Sequence, residues 1–348
     1  MRVVVLSMLS AAGCLAAPLE TRVLIGAPVR GEPEADVSRG EFSSPFGIAF
    51  GKGGGAFVVE LGGGRVWAIT DSPDATAVAR QIAGKATEKS YLGDGGPAAE
   101  ATFNGMHNCV VAADGDLLIS DTWNHCVRRI DSDSGVISTF AGAGKPGFAG
   151  DGGRAREARF HDLISISLDP AKETLYVADI RNRRIRAIDM GTEIVRTVAG
   201  NGEKGVPADG SEAAASPLVD PRAIAADARG NLWILERGGH ALRLVTPDGK
   251  IQTAAGNGKR GYRDGPALEA QLAGPKHLCL DDRGRVLIAD EQNAAIRVFD
   301  PESETLATIL GRGVGKPARK LSRPHGVTFH GGKLYIVDSG NNRILVER

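Results

Sequence analysis

The sequence predicts an all-β protein, a six-bladed β-propeller of four-stranded antiparallel blades, on three observations. One phrase, LYVADIRNRRIRAID from Leu175 to Asp189, returns as LLISDTWNHCVRRID from Leu117, VLIADEQNAAIRVFD from Val286 and LYIVDSGNNRILVER from Leu334. Each return sits inside a longer unit that reads as four short strands separated by turn residues. The last unit stops one strand short at Arg348, and a strand of the missing kind stands near the opposite terminus.

The units align on the acidic residue that ends the second strand, at Glu60, Asp121, Asp179, Glu236, Asp290 and Asp338. Their spacing runs from 61 residues (60 to 121) down to 48 (290 to 338), the scale of stacked supersecondary repeats. Within a unit, a Pro-containing lead-in opens the first strand, as in SPFGIAF, DPRAIAAD, GPKHLCLD and RPHGVTF. A Gly-containing turn leads to the acid-terminated strand, a four-residue turn to a third strand, and the fourth ends in Ala-Gly, as in STFAG, VRTVAG and IQTAAG. The 47 glycines among 348 residues supply the tight turns such a chain needs. No 20-residue stretch has helical periodicity.

A lone four-stranded sheet cannot bury both faces, so the blades must stack. TRVLIG, Thr21 to Gly26, has the place of a fourth strand, because a loop leads from it to the next Pro-containing lead-in. It should complete the last blade, with Val23 to Ile25 beside Ile344 to Val346, closing the ring and removing a sheet edge. The long loops also repeat: GDGGPAAEATF from Gly93, GDGGRAREARF from Gly150, DGSEAAASPL from Asp209 and DGPALEAQL from Asp264. Their Asp is expected to cap one helical turn and their closing Phe or Leu to pack between blades. One or two carboxylates per loop are too few for a calcium site.

Lys plus Arg equals Asp plus Glu at 42 each, which removes the positive field that nucleic acid or an acidic membrane would require. Even the arginine-rich stretch from Asp121 to Asp189 balances 11 basic against 10 acidic residues. Residues 1–16, within MRVVVLSMLSAAGCLAAP, have the charge, short apolar core and small residues of an export signal, too short to span a bilayer. Two processing readings stay open: cleavage after Ala16, or lipidation at Cys14, where Ala11 stands in place of the larger aliphatic residue of a lipoprotein box. Residues 17–348 then form a single propeller in the periplasm, secreted, or lipid-anchored at the cell surface. Cys109 and Cys279 sit in apolar runs and read as core.

The combination P-x-G-[VI]-A, LY[VI]AD-x-x-N-x-R-I and T-x-AG-x-G followed by GDG resembles the NHL repeat, and six copies resemble the six-bladed NHL propellers. The likeness runs from about Val23 to the C-terminus, strongest in blades 2, 3 and 6. It weakens in blade 1, whose turn is GGGR, and in blade 4, where ERGGH lacks the Asn. In that fold the innermost strands surround a channel, and the residue after the lead-in Pro faces its mouth. Those residues are Phe46, His107, Ile164, Arg222, Lys276 and His325, with His277 one step along and expected to face the blade interior. His125, His161, His240 and His330 fall in turns or loops and are expected to face solvent.

The resemblance extends distantly to peptidyl-hydroxyglycine amidating lyases, which hold zinc with three histidines at Pro-His positions on alternate blades. RPHGVTF fits that pattern at His325, and GMHNCVV fits in part at His107, with Met106 where Pro belongs. The third place holds Arg222, which cannot ligate a metal, so two histidines and an arginine look more like an anion socket. Zinc or calcium at the channel through His107 and His325 is the competing expectation. The six strand-end carboxylates are expected to be structural: each accepts backbone N–H bonds, the Asn of D-x-x-N tolerates a left-handed backbone, and Arg65, Arg184 and Arg343 pair across the turns.

These readings imply an exported binding scaffold that presents one face to a protein, peptide or glycan, its contacts built on loops of a rigid frame. The alternative is a lyase, or a lactone or ester hydrolase, working at the channel mouth.

Overall fold

The computed structural model describes residues 17–26, 42–72, 75–86 and 88–348, and it contains six antiparallel sheets. The leader and Cys14 lie outside the described residues. Blade 1 runs Pro45–Phe50, Ala56–Glu60, Val66–Ser72 and Ala75–Ala83, innermost strand first. Blade 2 repeats the order with Met106–Val111, Leu117–Asp121, Cys126–Ile130 and Ile137–Ala141, and blades 3 to 5 continue it. Blades 4 and 5 gain a fifth strand of two residues, Ser211–Glu212 and Gly265–Pro266, which the preceding loop lays along the outer edge. Among the described residues, helix occurs only as three-residue 3-10 turns, and none is long and apolar enough to cross a membrane.

The ring closes as the sequence predicts. Thr21–Gly26 pairs antiparallel with Arg343–Glu347, matching Arg22 to Val346, Val23 to Leu345 and Ile25 to Ile344 across a bulge between Val23 and Ile25. The borrowed strand does more than cover an edge. Leu24 and Ile25 join Ile344 and Val346 in a cluster with Ile48 and Val58 of blade 1, the apolar seam between the last blade and the first. A cluster of this kind fills each blade-to-blade seam. Between blades 2 and 3, for example, Leu118 and Val127 meet Phe160, Leu163 and Val177.

The carboxylate that ends each second strand is wholly buried and held by the turn it begins. Asp121 accepts from the backbone N–H of Asn104 (2.7 Å) and from Asn124 Nδ2 (2.8 Å), and Asp179, Asp290 and Asp338 repeat both contacts. The structural role expected for these acids holds, with two corrections. The Asn of D-x-x-N is a side-chain donor, and the left-handed residue is the next one: His125, Arg183, Ala294 and Asn342, with His240 in blade 4. The second correction concerns the arginines. Arg65 and Arg343 pair with Glu60 (2.7 Å) and Asp338 (2.8 Å), but Arg184 does not serve Asp179. It donates to carbonyls of Asn182 and Asn201 and lies over Phe148.

The partner in blades 2 to 5 is instead the arginine two residues further along: Arg128, Arg186, Arg243 and Arg297. Arg128, Arg186 and Arg297 each reach a second carboxylate, from the Asp of the loop lying over the blade: Asp94 at 2.8 Å, Asp151 at 2.6 Å and Asp264 at 2.5 Å. The loop Asp is therefore no helix cap. The 3-10 turns begin after Pro97, Arg154 and Glu212 with no side-chain cap, and the Asp ties its loop to the buried guanidinium. The closing residues Phe103, Phe160, Leu218 and Leu272 are fully buried, as expected.

Blades 1 and 4 carry a compensated change. Glu60 and Glu236 replace Asp, and Gly63 and Gly239 replace the Asn three residues on. The longer acid fills the room the amide would take: a Cβ on Gly63 would sit 1.9 Å from Glu60 Oε2, and one on Gly239 would sit 2.5 Å from Glu236 Oε2.

Ring closure gives a direct test. Ile25→Ala and Ile344→Ala should each cost about 2–5 kcal/mol in urea unfolding. Because the two side chains share one seam, the double mutant should depart from additivity by roughly 0.5 kcal/mol or more. Strictly additive losses would place the N-terminal strand elsewhere.

Candidate functional site

Antiparallel pairing sets the start of each innermost strand opposite the acid that ends the second, as with Pro45 and Glu60, Met106 and Asp121, Pro221 and Glu236, and Pro324 and Asp338. Strand starts and acid turns thus share one end of the ring, the upper mouth. Five of the first pairings carry a register shift at that start, between Pro45 and Gly47, Met106 and Cys109, Leu163 and Ile166, Pro221 and Ala223, and Pro324 and Gly326. In blade 5, Lys276 N–H bonds Ala289 O while His277 pairs with Ala289. A bulge of this kind sets two successive residues against one and re-aims both.

At the upper mouth, the Phe46 ring stacks on His325 (centroids 3.9 Å apart, 20° between planes) and meets His107 edge-on at 5.1 Å. Trp123, 42% exposed, meets His107 edge-on at 5.8 Å and forms the rim. Arg222 and Lys276 lie close enough for their charges to act on both histidines. Ile164 fills the blade 3 position with a buried apolar side chain. The structure therefore brings the sequence-picked residues Phe46, His107, Arg222, Lys276 and His325 to one place.

His107 Nδ1 lies 2.8 Å from Gly105 O and 2.9 Å from Thr122 Oγ1. A carbonyl only accepts, so Nδ1 carries the proton and Nε2 is the free lone pair. Burial, then Arg222, holds His107 well below the ordinary histidine range. Burial, then Arg222 and Lys276, pushes His325 down to about 2, and its Nδ1 has no hydrogen-bond partner among the described residues. Arg222 is pressed down to about 9 by burial and then by Arg237. Lys276 is pressed to about 8 by burial and then Arg222, although Glu291 at 4.0 Å draws the other way.

A zinc centre does not fit these residues. Phe46 packs against both rings, Arg222 stands where a third ligand would be needed, and the described residues contain no group of three metal-ligating side chains. The expectation of zinc or calcium held by His107 and His325 therefore finds no third donor.

One layer down, the channel is crossed. His277 Nδ1–H donates to Val327 O (3.1 Å), and Nε2 accepts from Asn108 Nδ2 (3.0 Å). Asn108 belongs to blade 2, opposite blade 5 in a six-membered ring, so the pair bridges the axis, and burial pushes His277 to about 4. His277 does not face the blade interior as expected, because the bulge turns both it and Lys276 inward. Gly326 permits the same crowding, since a Cβ there would sit 2.5 Å from Phe46 O. Beneath the bridge lies a cavity of about 500 Å³ lined by Phe50, Leu168, Leu280, Phe329 and His330. Cys279 also lines it, and burial pushes that thiol far up, which leaves it unreactive. A larger groove of about 670 Å³ runs between blades 5 and 6, away from the upper mouth.

The turn histidines are half-buried. His125 and His240 accept from the backbone N–H of Asp162 (3.1 Å) and Gly274 (3.2 Å), linking each turn to the next lead-in, and His330 stacks on Phe50 at 4.3 Å.

The NHL-repeat family model matches residues 321–346, the last blade. The chain is 27% identical over 280 residues, 75% of its length, to the Arabidopsis thaliana protein SUPPRESSOR OF QUENCHING 1, chloroplastic, of which that covers 26%. It is 26% identical over 270 residues to NHL repeat-containing protein 2 of Gallus gallus, covering 66% of this chain and 36% of that one. The chain thus spans between a quarter and somewhat over a third of the length of these relatives. Among solved structures, an auxiliary nutrient binding protein from Bacteroides ovatus superposes with a TM-score of 0.66 at 13% identity, over 96% of this chain and 77% of that one. These likenesses bear out the NHL-repeat, six-bladed fold.

The depressed histidines fix a sign. A neutral buried His325 has a folded pKa below the ordinary value near 6.5, so on acidification the unfolded chain takes up the proton first. Its contribution to stability is full above about pH 6.5 and is lost as pH falls toward its folded value of about 2. In His325→Asn, the slope of unfolding free energy against pH between 6 and 4 should be shallower by roughly 1 kcal/mol per pH unit. An unchanged slope would mean that His325 titrates as an exposed histidine.

Proposed function

We propose that this NHL-repeat propeller is an exported binding module that presents its upper mouth to a peptide, glycan or protein partner. One observation carries the reading: an exposed Trp123 stands on the rim of a mouth lined by Phe46, His107, Arg222, Lys276 and His325. An aromatic platform beside buried cationic groups suits recognition, with large rigid contact area and convergent polar groups at one place. Bulged strands hold those residues, so the surface is preorganised and loses little entropy on binding. The nutrient-binding description of the Bacteroides ovatus protein agrees with this reading at the level of fold. The leader segment supports export.

A second reading, a lyase or a lactone or ester hydrolase at the same mouth, is favoured by one detail. His107 keeps its proton on Nδ1 and so offers Nε2 as a base.

Trp123 reports on both. Peptide and glycan arrays probed with the purified protein should give hits that quench Trp123 fluorescence, and Trp123→Ala should weaken them roughly 5–30-fold, about 1–2 kcal/mol. Hits indifferent to Trp123→Ala would move the binding face elsewhere. Turnover of a hit that disappears in His107→Ala would establish the enzyme instead. Mass spectrometry of protein from the producing cell should find either an N-terminus at Ala17 or a diacylated Cys14. An intact Met1 on the bulk of the protein would refute export.

A further inference from the structure

We infer that the upper mouth is a socket for an oxyanion, the carboxylate or phosphate group of a ligand, with Arg222 as its fixed cation and His325 as a neutral N–H donor. The inference rests on the binding-face reading above and assigns its ligand a chemistry.

The buried arginines of the acid turns, Arg128, Arg186, Arg243, Arg297 and Arg343, each meet at least one carboxylate. Arg222 is as buried, at 4% exposure, yet its Nε and Nη1 have no hydrogen-bond partner among the described residues. The two nearby acids are engaged by other cations. Asp220 is bound by Arg237 at 2.6 and 3.2 Å, and Glu291 meets Arg323 at 3.1 Å and Lys276 at 4.0 Å. Arg222, Arg237, Lys276 and Arg323 are four cations sharing two carboxylates, an excess of two positive charges around the mouth.

A guanidinium cannot relieve this by losing its proton at neutral pH, and a buried, unpaired one is among the most unfavourable groups a fold can hold. An oxyanion would complete it. Its two oxygens match the planar fork of Arg222, and His325, whose Nδ1 also lacks a partner among the described residues, can supply a further N–H. Phe46 walls the site with an aromatic face against His325, so the attraction acts in a low-dielectric setting. A site built only for stability would carry an apolar residue here, as blade 3 does with Ile164.

The test uses the full mature protein at constant ionic strength set with sodium chloride. Sodium acetate and inorganic phosphate are titrated separately while Tm and the His325 ring 15N resonance are followed. Acetate, phosphate or both should raise Tm saturably and shift that resonance, and the stronger arm identifies a carboxylate or a phosphate ligand. In Arg222→Gln the saturable rise should vanish, a loss of at least ~10-fold in affinity, while Tm without anion equals or exceeds that of the parent. Arg222→Lys, which keeps the charge but not the fork, should retain weakened binding. The proposal is overturned if neither anion binds the parent, if Arg222→Gln responds as the parent does, or if both variants lower Tm in the absence of anion. An array hit that quenches Trp123 equally in Arg222→Gln would sink the socket and leave the binding face standing.

Discussion

A buried guanidinium set between carboxylates is the contact on which the upper end of this ring depends. The acid that ends each second strand is taken from water, and protein donors replace that water; around Asp121 they are a backbone N–H of the lead-in, the turn asparagine and an arginine from the third strand. Burial raises Asp121 and Asp179 and these donors pull against it, a balance that leaves both at about 6, so both are mostly ionised near neutrality. Breaking one partner of such a set strands a buried charge, which is why the arrangement tolerates replacement only as a unit. The Glu-with-Gly substitution in blades 1 and 4 is a replacement of that kind, in which the longer acid occupies the space left by the missing amide.

From that contact the rest of the upper end follows. The lead-in is fixed because its N–H is bound by the acid, and the loop is fixed because its Asp shares the arginine. The innermost strands then begin at a set height, and their bulges point two residues each toward the axis. The first of these gives the mouth, with Phe46 between two histidines. The second gives the bridge of Asn108 and His277 that separates the mouth from the lower cavity. The same electrostatics that stabilises the turns is left incomplete at the mouth, where Nε and Nη1 of the buried Arg222 have no hydrogen-bond partner among the described residues and the two nearby carboxylates are shared with other cations.

Much of the fold was legible in one sequence because repetition multiplies a weak local signal. Strand order and blade number follow from lead-in and strand segments of the kind seen in RPHGVTF returning in fixed order, and the borrowed N-terminal strand follows from TRVLIG holding the place of a fourth strand. The loop residues Phe103, Phe160, Leu218 and Leu272 were legible as core for the same reason. Arg128, Arg186 and Arg297 were not, because their second partner lies in a loop about 34 residues away for Arg128 (94 to 128) and no local spacing marks it. Arg184 stands nearer to Asp179 in sequence than Arg186 does, and sequence proximity pointed to the wrong one.

By itself the sequence determined the ring, its closure and which residues arrive at the mouth, since these depend on strand alternation and on the position after a proline. Tertiary structure alone decided what those residues do to one another. The stacking of Phe46 on His325, the want of a hydrogen-bond partner for Arg222 Nε and Nη1 among the described residues, and the passage of His277 across the axis to Asn108 depend on blades far apart in the chain. The physical reason is that alternation tells which face a side chain takes within one strand, whereas a bulge changes that face, and burial and pairing are set only where six strands converge.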